Sequence, residues 1–135
     1  MSDIDCHHLQ CQWQMDVTEI DPNNGFAVRW NIRAAMPNDS SLLRQQLAFT
    51  IDNLWLDGKA FDAFCNMLHC QSVAELYDMS LNLVARLTLT DDACTMELNP
   101  ATAAKDAPPV TAKLTLSPDF YSQLGHTLQQ FAKWW

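Results

Sequence analysis

Glycine is almost missing from this chain. The 135 residues hold three, Gly25, Gly58 and Gly125. That is too few for a phosphate-cradling loop, and neither a Walker motif nor a dinucleotide fingerprint occurs. Positive charge is scarce too: eight Lys and Arg face sixteen Asp and Glu, a net charge of −8. Such a balance disfavours direct contact with nucleic-acid phosphates or anionic membranes. It suits solubility or a basic protein partner. No run of about 18 apolar residues is present, so no membrane-spanning helix is expected. The opening Met-Ser-Asp-Ile-Asp-Cys-His-His lacks the basic start and apolar stretch of an export signal, so the expected location is cytoplasmic. The five cysteines, Cys6, Cys11, Cys65, Cys70 and Cys94, are odd in number. They read as reduced thiols, most simply as small buried hydrophobes.

What is present is globular composition, 48% apolar and 18% charged, in a chain of ordinary single-domain length. The expected unit is one α+β domain over 1–135, with candidate halves 1–71 and 72–135.

The period-two segments are the firmest local signal. Leu9, Cys11, Trp13, Met15 and Val17 alternate with Gln10, Gln12, Gln14, Asp16 and Thr18. After Asp21-Pro22-Asn23-Asn24-Gly25, Phe26, Val28, Trp30, Ile32, Ala34 and Met36 alternate with Ala27, Arg29, Asn31, Arg33 and Ala35. Two such runs around such a turn predict a β-hairpin. A third strand is expected near Leu47 to Leu56, with Phe49, Ile51 and Trp55 along it. Asp57 then caps a helix carrying Phe61, Phe64 and Leu68 and ending by Cys70. Ser72-Val73-Ala74-Glu75 has capping-box spacing and suggests a short further helix. Met79 to Thr90 alternates again, with Leu81, Leu83, Ala85, Leu87 and Leu89 on one side. Asp91-Asp92 turns the chain into a return strand from Cys94 to Leu98. Asn99 to Pro109 reads as an exposed loop, and Val110 to Leu116 as the sixth strand. Ser117 is the expected N-cap of a last helix with Pro118 at its first position. Its apolar stripe, Tyr121, Leu124, Leu128, Phe131 and Trp135, runs to the final residue.

The predicted order is therefore β-β-β-α-β-β-β-α: a mostly antiparallel six-stranded sheet with two amphipathic helices on one face. The strand-then-helix recurrence raises a pseudo-duplication, although few identities align between the halves.

Candidate chemistry is sparse. Cys6, His7, His8 and Cys11 are zinc-type ligands in a spacing that fits no standard site, so no metal or other cofactor is expected. Cys65 and His69 are four apart on a helix and within reach, but Cys65 lies on the core side, where a thiol stays protonated. Asp91-Asp92 is a turn, and Asp57 and Asp119 serve helix starts. Gly125, inside the last helix, suggests a close helix–sheet approach. No catalytic residues are assigned.

Two features point to contact with other molecules. Of Trp134 and Trp135 only one can share the helix's buried stripe, which leaves the other as an interface anchor or as packing over a sheet edge. Arg29, Arg33 and Arg86 fall on outward strand positions among Gln and Asn side chains, against acidic turns. The expected function is a small acidic non-enzymatic protein-binding module: an immunity protein, inhibitor, adaptor or secretion-type chaperone, of the kind bacteria and phages encode. Its expected partner is a protein of basic character, or a second copy joined by an unprotected edge strand or by the tryptophan end. The alternatives are a small enzyme or ligand-binding domain with a pocket near Trp55, Phe61 and Tyr121, and a nucleic-acid mimic. The mimic ranks last because the acids are dispersed and interrupted by arginines.

Overall fold

A computed structural model describes residues 3–8, 11–23, 25–37, 44–99 and 111–131. The chain is α+β, with two helices and two four-stranded antiparallel sheets. The first sheet is the meander β1 (Ile4–His8), β2 (Cys11–Asp21), β3 (Gly25–Pro37) and β4 (Arg44–Leu56), followed by α1 (Gly58–Cys70). The second is β5 (Val73–Tyr77), β6 (Leu83–Leu89), β7 (Cys94–Leu98) and β8 (Ala112–Leu116), followed by α2 (Asp119–Gln129). The expectation of one six-stranded sheet is thus corrected to two sheets, and the order to β-β-β-β-α-β-β-β-β-α.

Both added strands have an evident cause. In β1, Ile4 and Cys6 are buried while Asp5 and His7 are exposed. This is period two over too few residues to stand out beside a chain terminus. In β5, Ala74 and Leu76 are buried between outward Val73, Glu75 and Tyr77. The cap-like Ser72 precedes a strand because Val73 and Tyr77 favour extended backbone and α1 packs against it. Local cap spacing loses to tertiary pairing.

The β2–β3 hairpin forms as expected, pairing Cys11 with Ala34 at one end and Asp21 with Gly25 at the other, with a one-residue slip between Val17 and Glu19. β4 differs in phase. Asn53 adopts φ 57°, and the β3–β4 register slips between Val28 and Trp30. This bulge inserts one residue and reverses the facing of the residues beyond it. Phe49, Leu54 and Leu56 are therefore buried, while Trp55 stands half-buried over Ala27 on the opposite side. β6 begins only at Leu83, and Leu81, expected inward, is 80% exposed with φ 65°. It sits in a turn built by Asp78, whose carboxylate accepts bonds from Ser80 and Asn82 backbone N–H groups at 2.9 Å.

Asp57 caps α1, its Oδ1 accepting from Lys59 N–H at 3.1 Å. Asp57→Ala is expected to cost about 1 kcal/mol, read as a lower urea midpoint. An unchanged midpoint would show that the cap contributes nothing. At α2 the regular helix starts one residue later than expected, with Pro118 at the cap position, while the Ser117 hydroxyl accepts from Asp119 N–H at 3.3 Å. The helix stops at Gln129 instead of running to Trp135. Its end tightens: Gln130 N–H bonds Thr127 C=O at 3.2 Å and Phe131 N–H bonds Leu128 C=O at 3.3 Å. Phe131 still reaches the core, edge-on to Phe61 at 6.1 Å between ring centres.

One contiguous core draws on both sheets and both helices. Phe64 and Phe61 of α1 stack on Trp13 and meet Phe26 edge-on, at 6.0 and 5.6 Å. The helices do not share one sheet's face as expected. α1 also packs on β5 of the second sheet, and α2 packs back on β1 of the first, as well as on β7 and α1. Gly125 faces Leu68 and His69 of α1, so the close approach is helix to helix. Tyr121 ties the pair: its buried hydroxyl lies 2.6 Å from Gln71 C=O and 3.2 Å from Met67 C=O, at the end of α1.

Candidate functional site

Alternation along β1–β4 sends one set of side chains into the core and the other onto an open polar face. Strand registers arrange that face in rows. His7, Gln12, Arg33 and Ala48 form one row, and Asp5, Gln14, Asn31 and Thr50 the next. Adjacent strands lie about 4.8 Å apart, so neighbours in a row touch. Asp5 receives the amide N–H groups of Gln12 at 3.0 Å and Gln14 at 3.4 Å. Thr50 donates to Asn31 at 2.7 Å. Farther along, Arg29 Nε donates to Asp52 Oδ1 at 2.6 Å. Both members of that pair are more than half exposed, so it contributes little to stability. It does fix the two side chains.

Arg33 stands apart. No ion pair to it occurs among the described residues. It lines an open concavity of about 500 Å³ with His7, Gln12, Ala35, Gln46 and Ala48. The floor is low because Ala35 and Ala48 present only methyl groups beside it. Arg86, on the second sheet, has a different setting, held by Glu75 at 3.1 Å and Glu97 at 3.7 Å in one cross-strand row. Of the three arginines singled out in the sequence, the fold brings Arg29 and Arg33 to one face and places Arg86 on the other sheet. Trp134 and Trp135 lie outside the described residues.

The remaining candidates separate. Cys6 and Cys11 point into the core, whereas His7 faces the polar side and His8 is half-buried. These four therefore do not converge, and among the described residues no cluster of three or more His, Cys, Asp or Glu is arranged to hold a metal. Cys65 is buried while His69 is exposed. Burial pushes the Cys11 thiol up to about 12, with the neighbouring Cys6 and Cys94 adding to the effect. It likewise pushes Cys94 to about 12 and raises Cys6. Thiols held protonated in a dry core are poor nucleophiles. Phe61 and Tyr121 are packed in the core and Trp55 lies across the sheet, so these three do not line a shared pocket.

Several face residues escape sequence reasoning: Asp5, Gln46, Ala48, Thr50 and Asp52. The signal exists, since Asp5 and His7 alternate with Ile4 and Cys6, and Gln46 to Asp52 alternate with Leu47, Phe49 and Ile51. Each run is short or is broken by the bulge.

Comparison with protein-family models, with curated proteins and with solved structures gives no match.

Proposed function

We propose that this chain is a small acidic, non-enzymatic protein-binding module, of inhibitor, immunity or adaptor type, that meets its partner through the outer face of the first sheet. One observation carries the reading: the side chains of that face are already locked to one another. Gln12 and Gln14 are held by Asp5, Asn31 by Thr50 and Arg29 by Asp52. A polar surface ordered before encounter loses less side-chain entropy on binding than a floppy one. The net charge of −8 steers a basic partner and speeds association. A ligand pocket between sheet and helices has less support, because that space is filled by Trp13, Phe61, Phe64 and Tyr121. Nucleic-acid mimicry has less again. The face mixes Asp5 and Asp52 with Arg29 and Arg33 instead of repeating one sign at phosphate spacing.

The test is affinity recovery from the native host with tagged wild type and Asp5→Arg. Asp5 is exposed, so its replacement leaves the core intact while freeing both glutamines and reversing a charge. The expected result is a stoichiometric partner with wild type and at least about tenfold less with the variant. Equal recovery with both, or no stoichiometric partner at all, defeats the reading.

A further inference from the structure

We propose that two copies of this chain pair through β4, antiparallel about a twofold axis at Thr50, to make one continuous eight-stranded sheet. Such pairing goes beyond the protein-binding reading and is independent of it, since purified protein alone decides it.

The sheet edges differ in how they are covered. β1 is flanked by α2 and β5 by α1. β8 is short, five residues, with Lys113 on it; a short strand with a lysine is a protected edge. β4 has thirteen residues and one strand neighbour, β3. Its far side takes a single bond among the described residues, from Met79 N–H to Trp55 C=O at 2.8 Å.

The direction of the free backbone groups is set by the ladder. Ala27 turns its carbonyl toward β2, where Thr18 Oγ1 donates to it. Alternation then turns Val28, Trp30 and Ile32 toward β4, and their partners are Leu54, Ile51 and Phe49. Ala48, Thr50 and Asp52 are left with N–H and C=O aimed at the open edge. Those three residues also carry exposed side chains on the polar face.

A second copy fits this edge in one self-complementary register. With Thr50 opposite the partner's Thr50, Ala48 lies opposite the partner's Asp52, and Phe49 opposite the partner's Ile51. All three outward-bonding residues then pair, giving about six backbone hydrogen bonds at two per bonded pair. The half-buried Ile51 meets Phe49 on the inner side, and threonines meet at the axis, a favourable cross-strand pair. Charge selects this register over its neighbours. In the row through Arg33 and Ala48, the next position belongs to the partner's Asp52, about 10 Å from Arg33 at two strand spacings. An extended arginine and a carboxylate span that distance over the methyl of Ala48, in the concavity that Arg33 lines. Asp52 engages Arg29 through one oxygen, and the other takes no partner among the described residues and can receive Arg33 of the second copy. The contact is isologous, so it occurs twice and closes.

The test is sedimentation equilibrium of the full chain, read with far-UV circular dichroism. Wild type is expected to dimerise with Kd in about the micromolar range, as suits a small interface. Thr50→Pro removes an edge N–H that takes no partner among the described residues, and should be monomeric with an unchanged spectrum. Arg33→Asp and Asp52→Arg should each weaken dimerisation at least about tenfold. The double variant, R33D with D52R, should recover to within about threefold, because each new arginine meets the partner's new aspartate. If the proline variant loses its spectrum, the charge swap still decides. Wild type monomeric at about 100 μM, or dimerisation indifferent to all these changes, overturns the proposal, as does a double variant no better than the single ones.

Discussion

Gly25→Ala is expected to remove a large share of this protein's stability, a loss on the order of 3–5 kcal/mol against the roughly 5–15 kcal/mol typical of a folded domain. Two independent obstacles act at this position. Its φ is +131°, a conformation that residues with a side chain rarely adopt. A Cβ there would also lie 2.1 Å from Leu56 C=O and 2.9 Å from Met79 Cε. The methionine tip can move, but the carbonyl cannot without disturbing the Phe26–Leu56 pair that closes the β3–β4 ladder. The neighbouring bond from Met79 N–H to Trp55 C=O would be strained with it. Gly125→Ala is the control. The atoms nearest its Cβ are Leu68 Cβ at 3.3 Å and His69 ring atoms from 3.4 Å, and alanine improves helix propensity by about 1 kcal/mol. That variant should stay within about 1 kcal/mol of wild type. Urea unfolding monitored by tryptophan fluorescence compares the two, and similar midpoints for both variants would refute the steric argument.

The strands around that glycine show why part of this fold is legible in the sequence and part is not. Short-range pattern determines the β2–β3 hairpin, the Asp57 cap and the strands ending at Leu98 and Leu116, because alternation and turn residues act within a few positions. The division into two sheets is a long-range outcome. It depends on β1 folding back on β2 and on β5 choosing β6 over a helix, and each strand has only five residues in which to display a period. Where alternation is extrapolated through a left-handed residue it fails. Asn53 turns Trp55 out of the core, and the turn at Leu81 exposes a leucine that the pattern places inside. The outward facing of Arg29, Arg33 and Arg86 is readable from period two alone. Their distinction is not, because ion pairing depends on register: Asp52 lies beside Arg29, Glu75 and Glu97 flank Arg86, and no carboxylate is placed beside Arg33 among the described residues. The inward facing of Cys11 and Cys65 is readable from the strand and helix patterns, whereas Cys70, expected buried like the other cysteines, is exposed at the end of α1. That Cys94 of the second sheet comes close enough to Cys11 of the first to raise its thiol needs the three-dimensional core.

That meeting of thiols makes stability sensitive to alkali. Cys11 and Cys94 ionise near 9.0 when exposed and only near 12 in the folded chain, chiefly because burial excludes the water a thiolate needs. Tyr121 is raised from 10.0 to about 12, again mainly by burial and then by Cys94. A group whose pKa is higher in the folded state holds its proton there while the unfolded chain releases it. Its contribution is complete below the unfolded value and is lost as pH rises toward the folded one. Stability should therefore be flat near pH 8 and fall between pH 9 and 12, with each thiol adding at most about 1.4 kcal/mol per pH unit to the slope. Urea midpoints measured with reductant from pH 8 to 11 check this. Other groups of the chain contribute to any pH dependence of stability, so the informative quantity is a difference. The double variant Cys11→Ala with Cys94→Ala starts lower at pH 8, because it loses packed sulfur, and then declines less steeply than wild type. The two curves should converge as pH rises. Parallel curves would mean that these thiols ionise alike in the folded and unfolded chain, and that the core around Cys6, Cys11 and Cys94 is open to water.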